Sequence, residues 1–565
     1  MQQNKANPND GSNSSQNTSA RVHGPSEQPS APRIRDQLLP ANAEPPTDEM
    51  GARILDTYFT RLHSRYPFLN QKQVWKIHED RWRLAKTKRE DLTRSDRFAI
   101  FKLNLIYAIG ATMLQLSEKY AYTAPDVSTL CKTERSDAYT HQRYYNTALQ
   151  HVHSMCEARS IDNIEAMVLL VVYHLRTASS HGMWYMIGLA MRTSIDLGLH
   201  RKANEINMDP FTTQMRRRLF WTVYYLERVV SMSLGRPFSI SDRHIDLDLP
   251  LDVDDDVEDP AILAAPQDPN KTTSLTFAIY LFKLRRIDSR IQHKIYRADR
   301  PLSSLRPKMD PLYLELEEWK ESALLRFSGP DLDYPMLHYN RAVRLLIQPF
   351  LPLLPITDPY YHICLRAAGN ICQSHKRLHQ TLEYGHSFLA VQTVFMAGIT
   401  LLYALWTHTD QVWSVRMSND IRACSTVLFV MGERAAWVKK YRDAFELLVN
   451  AAMEKLQGNE TARNAGMAEL MTAQHGINWN TTLPGMSGSD KFPPVNPTSL
   501  VPDAGLTPQV GAADDSEHAV RMALQLAPWI DQDESDPLWM PDFETLENLS
   551  GTFWNNPDTR LFDAL

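Results

Sequence analysis

Residues 216–250 read RRRLFWTVYYLERVVSMSLGRPFSISDRHIDLDLP. Leu219, Val223, Leu226 and Val230 recur at helical spacing and Phe220 and Tyr224 widen the stripe, which predicts a helix over 215–232 with a broad buried face. Gly235-Arg236-Pro237 stops it. From Ile245 the pattern becomes strict alternation, with Ile245, Leu247, Leu249, Leu251 and Val253 on one side and Asp246, Asp248, Asp252 and Asp254 on the other. Period two predicts an extended segment laid against the body. Arg216, Arg217 and Arg218 then stand at the start of the predicted helix, where three cations oppose its dipole and call for compensation. Two readings stay open. One is an internal clamp with Asp242, Asp246 and Asp248; the other is an anion or effector site centred on Arg217. Direct contact with DNA is disfavoured, because nothing nearby reads a base edge.

Outward from this stretch, apolar positions keep helical spacing from residue 50 to about 456, as in Phe98, Phe101, Leu105, Ala108 and Ala111, or Leu284, Ile287, Ile291 and Ile295. About a dozen helices are expected, and the fold class is all-α. Asp162 with Glu165 has the spacing of a capping box, and Gly198 is placed to end the helix that begins near Gly182. Residues 250–270 and 301–311 carry Pro and break the rhythm, so they are read as surface connections. Residues 388–406, FLAVQTVFMAGITLLYALW, are nearly long enough to cross a bilayer. Gln392, Thr393 and Thr400 interrupt them and amphipathic helices lie on both sides, so a helix buried all round is expected, with no membrane as partner.

The composition changes at both ends. Residues 1–48 are rich in Ser, Asn, Gln, Pro and Ala, and their few large apolar side chains cannot offset the entropy of ordering them. They are expected to form a disordered tail. Residues 49–457 form the helical body, 458–518 have a linker composition, and 519–565 interleave acidic and aromatic side chains. In the last segment Trp539, Phe543, Leu546, Phe553, Trp554 and Phe562 alternate with carboxylates. That composition suits a disordered activation segment, whose charges keep the aromatics solvated until a partner groove takes them. A terminal helix docked on the body is the alternative.

Bulk chemistry narrows the function. With 60 Lys and Arg against 66 Asp and Glu, the net charge of -6 carries no electrostatic footprint for nucleic acid. The five cysteines, at 131, 156, 364, 372 and 424, are scattered, which fits reduced thiols, and the polar opening MQQNKANPND lacks the apolar run of a secretory signal. His151, His153 and Cys156, and His362, Cys364, Cys372 and His375, do not converge on one ion at helical spacing. The acidic run at Asp252, Asp254, Asp255 and Asp256 lacks the Gly and the bidentate Glu of a calcium loop. GxSxG, GxxxxGK[ST], HExxH and a strand-to-helix GxGxxG are all missing, and 21 glycines leave little material for phosphate-cradling loops. The expectation is a non-enzyme.

Several motifs, taken in order, resemble one family. Tyr58-Phe59, His63 and Tyr66-Pro67-Phe68-Leu69 open the series; Trp184, Gly188 and Asp196-Leu-Gly-Leu-His-Arg201 follow. The 216–250 stretch, residues 282–287 (FKLRRI), Trp319-Lys320, and Tyr339 with Gln348-Pro349-Phe350 complete it. Over roughly 50–460 the chain resembles the middle homology region of fungal transcription factors of the zinc binuclear cluster class. The resemblance implies a nuclear, pathway-specific transcriptional regulator, an activator for secondary metabolism or catabolism, that works with the transcription machinery or co-activators, as a homodimer or heterodimer. It also implies a regulatory body that answers a small-molecule effector. Trp184, Tyr185, His200, Trp221, Tyr225 and Arg236 are candidate wall residues of the effector pocket, beside Arg217. The family's zinc needs six closely spaced cysteines, which this chain lacks, so no cofactor is expected within it. Contact with DNA then requires an N-terminal module upstream of this sequence or a DNA-binding partner. The alternatives are a co-regulator or inhibitor that dimerises with a full-length relative, or, in another class, a membrane-associated or enzymatic helical protein.

Overall fold

A computed structural model describes residues 43–121, 141–151, 160–177, 182–268, 271–378 and 387–456. The expected N-terminal tail, almost all of it, the 458–518 linker and the 519–565 segment lie outside these residues. Among the described residues the fold is all-α, with no strand. Its longer helices are α1 (Asp48–Tyr58), α2 (Gln71–Glu79), α3 (Arg94–Ala121), α4 (His141–Leu149), α5 (Ile161–Thr177), α6 (Met183–Asp196) and α7 (Pro210–Ser233). They continue as α8 (Thr276–Ile295), α9 (Met309–Leu324), α10 (Pro330–Ile347), α11 (Pro359–Leu378), α12 (Phe388–Thr407), α13 (Val415–Arg434) and α14 (Lys439–Leu456).

Helix ends follow local chemistry. In α7 the Asp209 side chain accepts from the Thr212 N–H at 2.9 Å and Pro210 occupies the first helical position, so the helix begins five residues before the apolar stripe predicts. Its exit is set by Gly235 at φ 62°, with the Arg236 N–H bonded to the Ser231 carbonyl at 2.8 Å. That is a Schellman closure, and it explains the Gly-Arg-Pro stop. The same closure ends α6: Gly198 has φ 67° and the Leu199 N–H reaches the Ser194 carbonyl at 2.9 Å. At the start of α5 the expected capping box is replaced. Ser160 Oγ accepts from the Asn163 N–H at 3.3 Å, and Glu165 turns inward to an ion pair with Lys102, both side chains being largely buried.

Two apolar cores share the body. One is built on α1 and α3 to α7, the other on α9 to α14, and α8 serves both: Ala278, Leu281 and Phe282 face the first, Leu284, Ile287, Ile291 and Ile295 the second. Helix α12 is long and apolar enough to cross a membrane by composition, yet it is packed among α11, α13 and α14 with 89% of its most apolar window buried. Both Pro-bearing connections contain a short helix, Pro260–Ala264 and Leu302–Leu305, and Val253 and Leu263 form a small cluster with Leu275 and Ile279.

Where α1 crosses α3, a Cβ on Gly110 would lie 2.5 Å from the Ile54 carbonyl oxygen and 2.7 Å from its Cγ2. The neighbour is backbone and cannot step aside. Gly110→Ala is therefore expected to destabilise the protein, since overpacking of about 1–3 kcal/mol outweighs a gain in helix propensity of roughly 0.8–1.0 kcal/mol. Gly432→Ala, where the nearest atoms are 3.7 Å away, serves as the control. Urea denaturation of the two variants checks the contrast: the first midpoint should fall and the second should hold or rise.

Candidate effector site

The 216–250 stretch folds back on itself through side chains. Because α7 starts at Pro210, Arg216 to Arg218 sit in its second turn and beyond, away from the unsatisfied N–H groups at its start. Arg217 forms a bidentate pair with Glu205 (2.7 Å to each carboxylate oxygen) and reaches Asp248 at 3.4 Å. Arg218 pairs with Asp255 at 2.8 Å, and Asp255 also meets His63 Nε2 at 3.0 Å. Arg216 donates to the Leu197 carbonyl at 3.4 Å. Of the three carboxylates expected to compensate the arginines, Asp248 does so; Asp246 serves Arg201 and Asp242 serves Arg228. Burial raises the Asp255 carboxyl, but the hydrogen bond and charge of His63, with Arg218, outweigh it and leave its pKa below the usual value.

From Ile245 the segment carries Leu247 buried and Asp246 and Asp248 exposed, as the alternation predicts, but the chain bends at Asp252, where the Val253 N–H closes on the Leu251 carbonyl at 3.0 Å and the Asp252 carboxylate turns in to the Thr273 and Thr276 hydroxyls. It joins no sheet. Its backbone is held by side chains instead: Trp221 Nε1 donates to the Asp248 carbonyl at 2.8 Å, Arg217 to the Leu249 carbonyl at 3.4 Å, and Gln214 Oε1 accepts from the Leu251 N–H at 2.9 Å.

The site with the strongest chemistry lies deeper, where the two cores meet. A cavity of about 60 Å³ is lined by Arg65, Arg176 and Arg341, by His338 and His375, and by Tyr66, Tyr225 and Tyr334. Its apolar walls include Val172, Leu175, Val229 and Leu337, and Ser387 and Thr393 close it from α12. Among the described residues the lining holds no carboxylate. Behind it, Asp288 and Arg285 form an ion pair with both side chains fully buried, and Arg341 approaches the same carboxylate at 3.7 Å.

Protonation states here follow from burial. Desolvation, reinforced by Arg285, pulls the Arg341 pKa down to about 10, which leaves it charged at neutral pH. Desolvation together with the charges of Arg285, Arg341 and Arg65 holds His338 well below its ordinary value, so its ring is neutral. Its Nδ1 faces the Arg285 guanidinium at 3.2 Å. A guanidinium only donates, so Nδ1 accepts and the hydrogen resides on Nε2. That Nε2, covered from solvent, meets no acceptor among the described residues. Burial pushes Tyr66 up to about 12 and Tyr225 well above its ordinary value, so both keep their hydroxyl hydrogens. Arg65 lies over the Tyr334 ring at 4.0 Å.

Residues 55–321 match the fungal specific transcription factor domain, a span that contains the 216–250 stretch and the first wall of the cavity. Over this span the chain is similar to the fungal specific transcription factor domain. The chain is 29% identical over 458 residues to an uncharacterized transcriptional regulatory protein of Saccharomyces cerevisiae, covering 72% of this chain and 32% of that protein. It is 25% identical over 508 residues to a positive regulator of purine utilization of Emericella nidulans, covering 72% and 47%. A third relative, pyrimidine pathway regulatory protein 1 of S. cerevisiae, is 29% identical over 328 residues, covering 54% and 33%. The chain thus spans between about a third and about half of these relatives' lengths.

Within the helical body the residues singled out from sequence are dispersed. Tyr225 lines the central cavity. Trp184 and Arg236 form a cation–π pair, 4.8 Å from guanidinium carbon to ring centre, and Tyr185 is exposed beside them. The His200 carbonyl accepts from the Asp246 N–H at 3.4 Å; Arg217 is taken by Glu205; Trp221 belongs to the core. Arg65, Arg176, His338, Arg341 and His375 were not singled out as pocket residues. A signal existed for Arg341: it follows Leu337 by four residues and so falls on the apolar face of α10, where a cation is out of place.

Proposed function

We propose that this protein regulates transcription of a pathway-specific gene set in a fungal nucleus, working with the transcription machinery by recruitment rather than by chemistry. The observation that carries the reading is the match over 55–321, which takes in the clamp, the extended segment and one wall of the cavity. The relatives' names, with purine utilization and a pyrimidine pathway among them, support a gene set tied to one nutrient or biosynthetic route. In this reading residues 49–457 are the regulatory body and 519–565 the activation segment, whose Trp539, Phe543, Leu546, Phe553, Trp554 and Phe562 engage a co-activator. DNA is reached through a zinc module upstream of this sequence or through a dimer partner.

Fusion of the full chain to an unrelated DNA-binding module tests this in a reporter strain. Several-fold activation is expected, lost on deletion of residues 531–565. Unchanged reporter output from the intact fusion would refute the activator reading, and a cytoplasmic signal for the tagged chain would refute the nuclear one.

A further inference from the structure

We propose that Ser303 is a phosphorylation site for an arginine-directed protein kinase, which reads Arg300 and Arg297 on the exposed connection between α8 and α9. The proposal goes beyond the transcriptional reading and does not rest on it.

The tripeptide spacing alone does not single the serine out. Arg-x-x-Ser recurs among the described residues, ending at Ser64, Ser231, Ser239, Ser289, Ser303 and Ser425. An arginine three residues before a serine suits a kinase cleft lined with carboxylates, which take the guanidinium as a charge-assisted partner. Such a cleft also needs the serine on an accessible strip of chain, and here the fold discriminates. Ser231 and Ser289 are buried in α7 and α8, Ser425 is half-buried in the middle of α13, and Ser64 and Ser239 are half-buried just beyond helix ends. Of these serines Ser303 alone is exposed, and it alone has a second arginine, Arg297, six residues before it.

Local structure favours access. Residues 296–301 are all exposed and lie outside any helix, and Ser303 follows them in the four-residue turn Leu302–Leu305. Its neighbour Ser304 is engaged, with Oγ donating to the Pro301 carbonyl at 2.8 Å; the Ser303 hydroxyl meets no such partner among the described residues. Arg300 is exposed, and Arg297 is paired only with Asp299 on the surface, a contact that solvent weakens and a kinase carboxylate can replace. A single helical turn at the edge of an irregular run opens locally at little cost, which a kinase that binds its substrate extended requires.

The reaction transfers the γ-phosphoryl group of ATP. A bond forms between Ser303 Oγ and the γ-phosphorus as the bond from that phosphorus to the bridging oxygen breaks; ADP leaves with the oxygen, and the hydroxyl proton passes to the base of the kinase. The product sets about two negative charges three residues from Arg306, on the same helical face. Arg306 pairs with Asp310 at 2.9 Å, approaches Asp358 at 3.9 Å and lies over the Tyr360 ring at 5.0 Å. A phosphate that competes for Arg306 therefore loosens the fastening of this connection to the start of α11.

The test uses the folded full chain, ATP and a purified calmodulin-dependent kinase as the arginine-directed probe, with initial rates read by phosphopeptide mass spectrometry. Ser303 is expected to be labelled ahead of the other five Arg-x-x-Ser serines named above. Arg300→Gln should slow its labelling about tenfold or more, the loss of one charge-assisted pair, and Arg297→Gln should slow it less. Both arginines are exposed, so the thermal unfolding midpoints of these variants should match that of the unaltered chain. Undiminished labelling of Arg300→Gln, or labelling of Ser231 or Ser289 in the folded chain as fast as that of Ser303, would overturn the site. Reporter output plays no part in these measurements, so failure of the transcriptional reading would leave them intact.

Discussion

Arg228→Ala is expected to destabilise the protein by about 3–5 kcal/mol, the range for removing one partner of a buried ion pair. Arg228 is fully buried in α7 and paired with its neighbour Glu227, itself buried. It also donates to the Ile240 carbonyl at 2.7 Å, Asp242 Oδ1 at 3.0 Å and Ser289 Oγ at 3.2 Å, between the rings of Tyr224 and Phe238. Glu227 in turn accepts from the Ser239 N–H at 2.6 Å. The pair thus staples the Gly-Arg-Pro-Phe turn to the helix it terminates. Burial works against the Arg228 charge, but Tyr224, Glu227 and Asp242 outweigh it and its pKa ends above the usual value. Truncation leaves the Glu227 carboxylate enclosed without its cation. Arg228→Met combined with Glu227→Gln should be milder than Arg228→Ala alone, because the fully buried carboxylate is gone and only Asp242, 31% exposed, loses its cation. Urea denaturation of the full chain reads both, and an unchanged midpoint for the single variant would show that the pair carries no weight.

Trp221→Ala should be of similar size, about 3–5 kcal/mol, the range for a large aromatic lost from a core. Trp221 is 2% exposed, packs against Phe220, Tyr224 and Phe282, and holds the Asp248 carbonyl through its indole N–H. Trp221→Phe separates the two contributions: it keeps most of the apolar contact and loses the hydrogen bond, worth about 1 kcal/mol. Beyond the loss of stability, Trp221→Ala frees the segment from Ile245, so amide exchange at Asp246 and Leu251, whose N–H groups are held by the His200 carbonyl and Gln214, should quicken more than at α12. Equal change at both places would mean that Trp221 acts only through global stability.

How much of this was legible in the sequence varies with the range of the interaction. The α7 stripe, the Gly235 exit, the Gly198 exit and the buried nature of α12 rest on neighbours within a few residues, and the sequence carries them openly. The true start of α7 was present too, as Asp209-Pro210, but the apolar stripe begins later and draws attention away from a polar first turn. For Arg217 the sign of the partner was predictable and its identity was not. Glu205, in the loop before α7, comes close only once Gly198 has turned the chain out of α6. The capping box at Asp162 failed for a similar reason: Glu165 had a buried lysine to meet on α3.

The central cavity was the least legible feature. Its walls come from residues 65–66, 172–176, 225–229, 334–341, 375 and 387–393, and in a linear reading each arginine or histidine among them is an isolated polar residue on a helix. On its own, the sequence determined an all-α body, the helix-stop-extended order of 216–250 and the family that this order resembles, since those depend on periodicity and on glycine and proline geometry. The tertiary structure alone decided which carboxylate answers which arginine, and that three arginines and two histidines from separate helices face the same small space. Charge and hydrogen-bond satisfaction inside a protein are settled by proximity in three dimensions, and helical periodicity holds no record of it.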